Sequence, residues 1–455
     1  MSTTQTPGAA VSDALHGPAL KSAISKATRH LMPMLIILYF VAFLDRTNVG
    51  FAQEALKIDR GISDGAFALG AGIFFIGYAI FEIPSNLLLK RFGARFWLAR
   101  IAITWGIVAA AFAFTTNDTM FIILRFLLGI TEAGLFPGVI MFLAEWFPNK
   151  VRVQMFALFY LAQPFSQMLG APLSGGLISI GDTVTPWHGW QVMFFAEGML
   201  AVVAGIAAFF FLTDSPQKAK WLNKTEKAAL IDVMVQEDKV RESDGPSGVW
   251  RAMASWKVWY FTVIYFCLQI AVYGTTFYLP QQVAGLLGKD VGWEVGLVAA
   301  IPWLVGLFVC FFVGKYATMI LRRRNWGTLF FFGTGVFILG SGWAGAISQP
   351  ILGILFITLA VSCFLSVGPI TWSYPTAFLT GTAAAAGIGL INSFGNLGGF
   401  VAPIMRNSVN ETVVTDSGVW GVVSLGLFAF VAAAMIYCTK FFKAKADVLL
   451  ETPVN

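Results

Sequence analysis

Two ionisable pairs stand inside apolar segments that ought to reject them. Asp45-Arg46 interrupts the run that begins near Leu31, and Arg125 and Glu132 lie within the run 120–143. A charged side chain in hydrocarbon costs about 2.5–3.5 kcal/mol on insertion scales, so residues kept there face a polar cavity and serve a function. Asp45 lies about 20 Å along its helix, past the membrane midplane. Glu132 falls near the midplane of an oppositely directed segment, with Arg125 two turns away on the same face. Asp45, Arg125 and Glu132 are therefore expected in one cluster. A carboxyl group there has two stable states, ionised beside an arginine or neutral with a proton bound. Proton exchange can then follow conformation; the alternative is a static ion pair that locks two helices.

Arg46 has a separate role. Adjacent residues on a helix point about 100° apart, so Asp45 and Arg46 cannot share one environment. Arg46 is expected in the central cavity, where its planar fork suits a carboxylate, in preference to a structural pair. Further cavity candidates are Tyr78, Gln163, Tyr273, Tyr278, Gln281, Trp372, Asn392 and Asn396, all within or at the ends of apolar runs. Interhelical hydrogen bonding explains any one of them equally well. For Glu82, pairing with a nearby Lys or Arg at a helix end stands equal with a functional role, and for Glu145 and Glu197 it is the simpler reading.

No enzyme signature is present. His16, His30 and His188 are dispersed, Cys267, Cys310, Cys363 and Cys438 stand singly, and no phosphate loop, zinc spacing or nucleophile elbow occurs. The expectation is no cofactor and no metal, with an ion gradient as the energy source.

These residues sit in a chain built for a bilayer. It is 57% hydrophobic and 12% charged, with mean hydropathy +0.74, outside the range of soluble domains. Twelve apolar stretches are each long enough to cross the membrane as a helix: 31–52, 66–89, 96–116, 119–144, 152–181, 190–212, 256–284, 292–317, 326–346, 350–374, 381–406 and 418–440. Lys and Arg set the orientation. They cluster before the first stretch (Lys21, Lys26, Arg29) and after the second (Lys90, Arg91, Arg95), fourth (Lys150, Arg152), eighth (Lys315, Arg322-Arg323-Arg324) and twelfth (Lys440, Lys443, Lys445). The alternate loops hold only Lys57, Arg60, Lys289 and Arg406. Both termini are thus expected in the cytoplasm. The net charge of +6 reflects this bias and calls for no nucleic-acid partner. Residues 1–30 are polar and carry no cleavable signal.

The expected organisation is an N-terminal tail (1–30), a six-helix bundle (31–212), a cytoplasmic connector (213–255), a second six-helix bundle (256–440) and a C-terminal tail (441–455). Such a division marks a parallel repeat. Small-residue clusters echo one another, Gly170-Ala171-Pro172-Leu173-Ser174-Gly175-Gly176 against Gly395-Asn396-Leu397-Gly398-Gly399. They suit close helix packing or bending during a rocking motion. The connector is expected to be helical around 224–240, its charges forming a solvated face.

With these residues in hand, the chain resembles the major facilitator superfamily, and within it the anion:cation symporter family. The resemblance rests on Phe43-Leu44-Asp45-Arg46-Thr47-Asn48, Arg125-Phe126-Leu127-Leu128-Gly129-Ile130-Thr131-Glu132-Ala133-Gly134, Phe136-Pro137-Gly138 and Trp146-Phe147-Pro148. It extends over essentially the whole chain and is nearest to bacterial rhamnonate-like sugar-acid and tartrate permeases. It implies an all-α integral membrane protein, two six-helix bundles in the major facilitator fold, working as a monomer in the bacterial inner membrane. It further implies proton-coupled import of a small organic anion by alternating access. Asp45 and Glu132 match the family's proton-carrying acids, Arg125 the arginine that modulates them, and Arg46 the substrate-carboxylate arginine. Tyr78, Gln163, Trp372 and Asn392 match cavity positions.

One stretch departs from the superfamily pattern. After the second span the usual Gly-x-x-x-Asp-Arg-x-Gly-Arg-Arg is replaced by Asn86-Leu87-Leu88-Leu89-Lys90-Arg91-Phe92-Gly93-Ala94-Arg95. A different cytoplasmic latch is then needed, and Glu145 or Glu82 with Arg91 or Arg95 is the expected one. Three other readings compete with sugar-acid import: import of aromatic carboxylates, proton-driven export of a hydrophobic compound, and sensing of an acid without transport. Arg46 has little use for an apolar cargo, and the connector is too short to hold a signalling domain.

Overall fold

The computed structural model describes residues 17–242, 253–320, 323–378, 381–413 and 419–439. The Gly245-Pro246-Ser247-Gly248 end of the connector, Arg322, Lys440 and the tail 441–455 lie outside the described residues, as do residues 1–16 of the expected N-terminal tail. The chain is helical throughout its described length. In the first half run α1 (Pro18–Thr47), α2 (Val49–Arg60), α3 (Asp64–Phe92), α4 (Ala94–Ala111), α5 (Asp118–Glu132), α6 (Leu135–Trp146), α7 (Asn149–Tyr160), α8 (Ala162–Val184) and α9 (Gly189–Phe211). The connector carries α10 (Lys224–Glu242). The second half follows with α11 (Trp256–Thr276), α12 (Leu279–Leu287), α13 (Trp293–Ile320), α14 (Arg323–Ala346), α15 (Pro350–Phe378), α16 (Gly381–Asn396), α17 (Gly398–Thr412) and α18 (Val419–Cys438).

Among the described residues, 11 segments are long and apolar enough to cross a membrane. The remaining expected stretch, 152–181, is helical as α7 and α8, but Gln163, Ser166, Gln167 and Ser174 dilute its apolar surface. Ile83, Phe210, Phe311 and Ile351 are exposed on the outer surface, where lipid rather than water is the matching solvent.

Five of the expected spans are each two helices end to end. The interruptions fall at Asn48, Ala133-Gly134, Leu161, Phe277-Tyr278 and Leu397. At the second of these Gly134 takes φ +90°, a conformation L side chains avoid, and a Cβ there would lie 2.3 Å from Ser85 Oγ. The chain thereby turns just after Glu132 and re-enters a helix at Leu135. Ser63 caps α3, accepting from Ala66 N–H at 3.1 Å, and its own hydroxyl donates to Asp118 at 2.8 Å, so α3 and α5 start from one tied corner.

The halves meet tightly at the end that carries Arg60 and Trp293. A Cβ on Gly50 would lie 2.2 Å from the Phe277 carbonyl oxygen, so only glycine permits that approach. Gln281 Nε2 donates to Gly50 O at 3.2 Å, and Trp293 N–H donates to Ser179 Oγ at 3.0 Å. Nearer the other end, Ser393 Oγ of α16 donates to Glu82 of α3.

Helix α10 occupies the position the sequence suggests, but its acidic face is docked rather than solvated. Glu226 is 3% exposed and accepts from Ser22 Oγ at 2.7 Å and from Lys26 Nζ at 3.0 Å. Helix α1 already begins at Pro18, which supplies those partners. Trp221 stacks on Trp146 with centroids 5.3 Å apart, and Arg152 reaches Glu237 at 3.5 Å. The connector is therefore fastened to the first bundle.

The hydrogen bonds from Lys26, the Asn223 backbone and Ser22 hold the Glu226 carboxyl down at about 2, against an ordinary value of 4.5. A depressed carboxylate contributes its full stabilisation above the ordinary value and loses it as pH falls toward the depressed one. Hydrogen exchange of 224–242 in wild type is expected to accelerate, beyond the intrinsic pH effect, only below about pH 4.5. In Glu226→Gln the same segment should exchange fast already at neutral pH.

Candidate functional site

Two buried opposite charges meet where the two bundles touch. Arg46, at the end of α1, is 7% exposed; Glu132, the last residue of α5, is 0% exposed. Arg46 Nη2 donates to Glu132 Oε1, and Nη1 donates to Tyr273 Oη of α11 at 3.2 Å. One guanidinium thus joins a carboxylate of the first half to a phenol of the second. Its plane is walled by the rings of Phe43, Phe74 and Tyr78, with centroids 4.8, 5.0 and 5.4 Å from Cζ. The other oxygen of Glu132 and Nε of Arg46 are buried without hydrogen-bond partners.

This differs from the expected cluster in a definite way. The arginine that meets Glu132 is Arg46, not Arg125. Arg125 lies two turns back on α5 and donates instead to the carbonyls of Gly70 at 3.2 Å and Ala71 at 3.4 Å on α3. Asp45, as the 100° rule requires, looks elsewhere: one oxygen accepts from Trp105 Nε1 of α4 at 2.9 Å, and the other is buried without a partner. Glu197 follows the same pattern. It is 1% exposed in α9 and accepts from Ser174 at 2.7 Å and Asn48 at 2.8 Å, with no Lys or Arg paired to it among the described residues.

The second half contributes an amide chain. Gln269 Nε2 donates to Asn396 Oδ1 at 2.6 Å, and Asn396 Nδ2 donates to Asn392 Oδ1 at 3.2 Å. Trp372 packs on Tyr265 with centroids 4.9 Å apart. Gln163 is half-buried on α8 and bonds to none of these groups. Glu82 is 4% exposed and takes its hydrogen bond from Ser393, not from a basic helix end. Arg95 is occupied by the Phe209 carbonyl, Arg91 lies over Phe92 at 5.7 Å, and Glu145 is exposed at the end of α6. Among the described residues, Glu82 forms no ion pair with Arg91 or Arg95. The Arg95 backbone N–H donates to Asp214 at 3.0 Å.

Sequence reading passed over Trp105, Gln269 and Ser393. Gln269 was findable, as an amide inside an apolar run like Gln163. Nothing marks Trp105 or Ser393 until the fold brings an acid to each.

A cluster of ionisable groups sealed between two lipid-facing helical bundles is the arrangement of a membrane transport protein rather than an enzyme. The comparisons agree: the family model described as "Major Facilitator Superfamily" matches residues 35–403, and the chain belongs to that superfamily. It is 41% identical over 421 residues to the inner membrane transport protein RhmT of Escherichia coli, spanning 92% of this chain and 96% of RhmT. It is 39% identical over 401 residues to an Agrobacterium vitis protein provisionally named a tartrate transporter, spanning 87% and 86% of the two chains. The fold is similar to the xylose transporter XylE from E. coli in a partially occluded inward open conformation. There the TM-score is 0.72 at 15% identity, covering 92% of this chain and 99% of XylE.

Removing one partner from a buried ion pair leaves an uncompensated charge and costs about 3–5 kcal/mol. Arg46→Ala is therefore expected to lower thermal stability in detergent sharply. Adding Glu132→Gln to it should restore most of the loss, and equal destabilisation in single and double variants would show the two groups to be uncoupled.

Proposed function

We propose that the protein imports a small hydroxy-carboxylate, an aldonate or a tartrate-like acid, together with protons across the bacterial inner membrane. The observation that carries this reading is the buried Arg46 fork, held between Glu132 of one bundle and Tyr273 Oη of the other. A substrate carboxylate and Glu132 compete for the same guanidinium. When Glu132 is ionised it occupies Arg46. Once Glu132 takes a proton its hold weakens, and Arg46 can receive the substrate anion. Proton and anion then bind together, which is the requirement for symport. Asp45, beside Trp105, serves as the second proton-holding acid, and Arg125 keeps α5 in register with α3. Tyr78, Gln163, Trp372, Asn392 and Asn396 supply hydroxyl and amide partners for a polyhydroxylated chain. The tartrate name carried by the Agrobacterium relative supports the same substrate class. Both termini lie in the cytoplasm on this reading, so the closed end at Gly50 faces outward. One chain holds the whole pathway, so a monomer suffices.

Uptake of labelled tartrate, gluconate and aromatic acids into proteoliposomes tests the proposal. With an inward proton gradient, wild type should accumulate a hydroxy-carboxylate and Asp45→Asn should not. Arg46→Lys replaces a fork by a point charge and should raise KM about tenfold or more. Absence of any carboxylate uptake would overturn the importer in favour of proton-driven export.

A further inference from the structure

Arg406, in α17, is not used by the site described above. Its guanidinium lies over the Tyr278 ring at 3.8 Å from the centroid, and its Nη1 is buried without a hydrogen-bond partner. No acid pairs with it among the described residues. The neighbouring cations at this end are differently placed. Lys57 holds Asp64 at 2.7 Å, Lys289 holds Glu294, and Arg60 lies over Trp190 at 5.6 Å within the first bundle. Arg406 is at the seam instead. Tyr278 meets Phe67 of α3 edge-on at 6.0 Å, and a Cβ on Gly65 would lie 4.0 Å from Asn407 Nδ2.

A half-buried guanidinium whose Nη1 is buried without a partner, with a ring face as its main compensation, is costly, and a carboxylate would relieve that cost. The placement also has a direction. Tyr278, which carries Arg406, follows Tyr273, which touches Arg46, by five residues, across the break between α11 and α12. The two arginines are thus joined through one stretch of the seventh span.

We propose that Arg406 is a second anion-binding residue, at the outer mouth, that receives a small organic carboxylate when the bundles part and delivers it to Arg46. This rests on the import reading above. In the closed conformation Phe67 and Tyr278 cover the site. When α3 and α17 separate at that end, the guanidinium is open to water and concentrates anions before the inner site engages them.

The test is initial-rate uptake of labelled tartrate and gluconate into right-side-out proteoliposomes at low and high salt. Wild type is compared with Arg406→Gln and Arg406→Lys, and each variant's melting temperature is recorded. Arg406→Gln is expected to raise KM about tenfold with kcat within twofold, and to flatten the salt dependence of kcat/KM. Arg406→Lys should recover part of both. Unchanged KM and salt dependence in Arg406→Gln, with wild type active, would overturn this inference alone. Loss of kcat together with melting temperature, unrelieved by Arg406→Lys, would make Arg406 a structural clamp. No carboxylate uptake by wild type would overturn the import reading and this inference with it.

Discussion

A full positive charge in the middle of a low-dielectric protein has to be answered, and the architecture here is arranged around answering the one on Arg46. Buried among the helices, that charge is met by Glu132 from α5, Tyr273 from α11 and ring faces from α1 and α3. That demand brings both bundles to one point. It also explains why the two halves cannot slide freely: parting them removes Tyr273 from a group that has few alternatives. On the import reading, a carboxylate would take the place of a protonated Glu132 at Arg46, which would couple binding to rearrangement.

The broken helices serve the same end. Irregular backbone at membrane depth is tolerated only where it is enclosed by protein or lines a cavity. Three of the five interruptions lie within a few residues of a buried polar group, Arg46 before Asn48, Glu132 before Gly134 and Tyr273 before Phe277-Tyr278, and the half-buried Gln163 and Asn396 stand beside the other two. A half-helix can tilt by itself, so a side chain at its end can change partner without moving a whole span.

The connector adds an asymmetry. Ser22, Lys26 and Arg152 of the first half all reach the connector helix α10. The two halves face each other along the packed seams α3–α17 and α8–α13.

By itself the sequence determined that this is a polytopic helical protein and that Asp45, Arg46, Arg125 and Glu132 are charges set inside its apolar segments. These follow from local quantities: apolar length against bilayer thickness, and the cost of any charge inside it. It also implied that Asp45 and Arg46 face different surroundings. Only the tertiary structure decided which surroundings. The rotation of each helix about its axis is set by its neighbours, so Glu132 meets Arg46 while Arg125 turns to the carbonyls of Gly70 and Ala71. For the same reason Asp45 finds Trp105 and Glu82 finds Ser393, partners hundreds or tens of positions away that no spacing along the chain could have named.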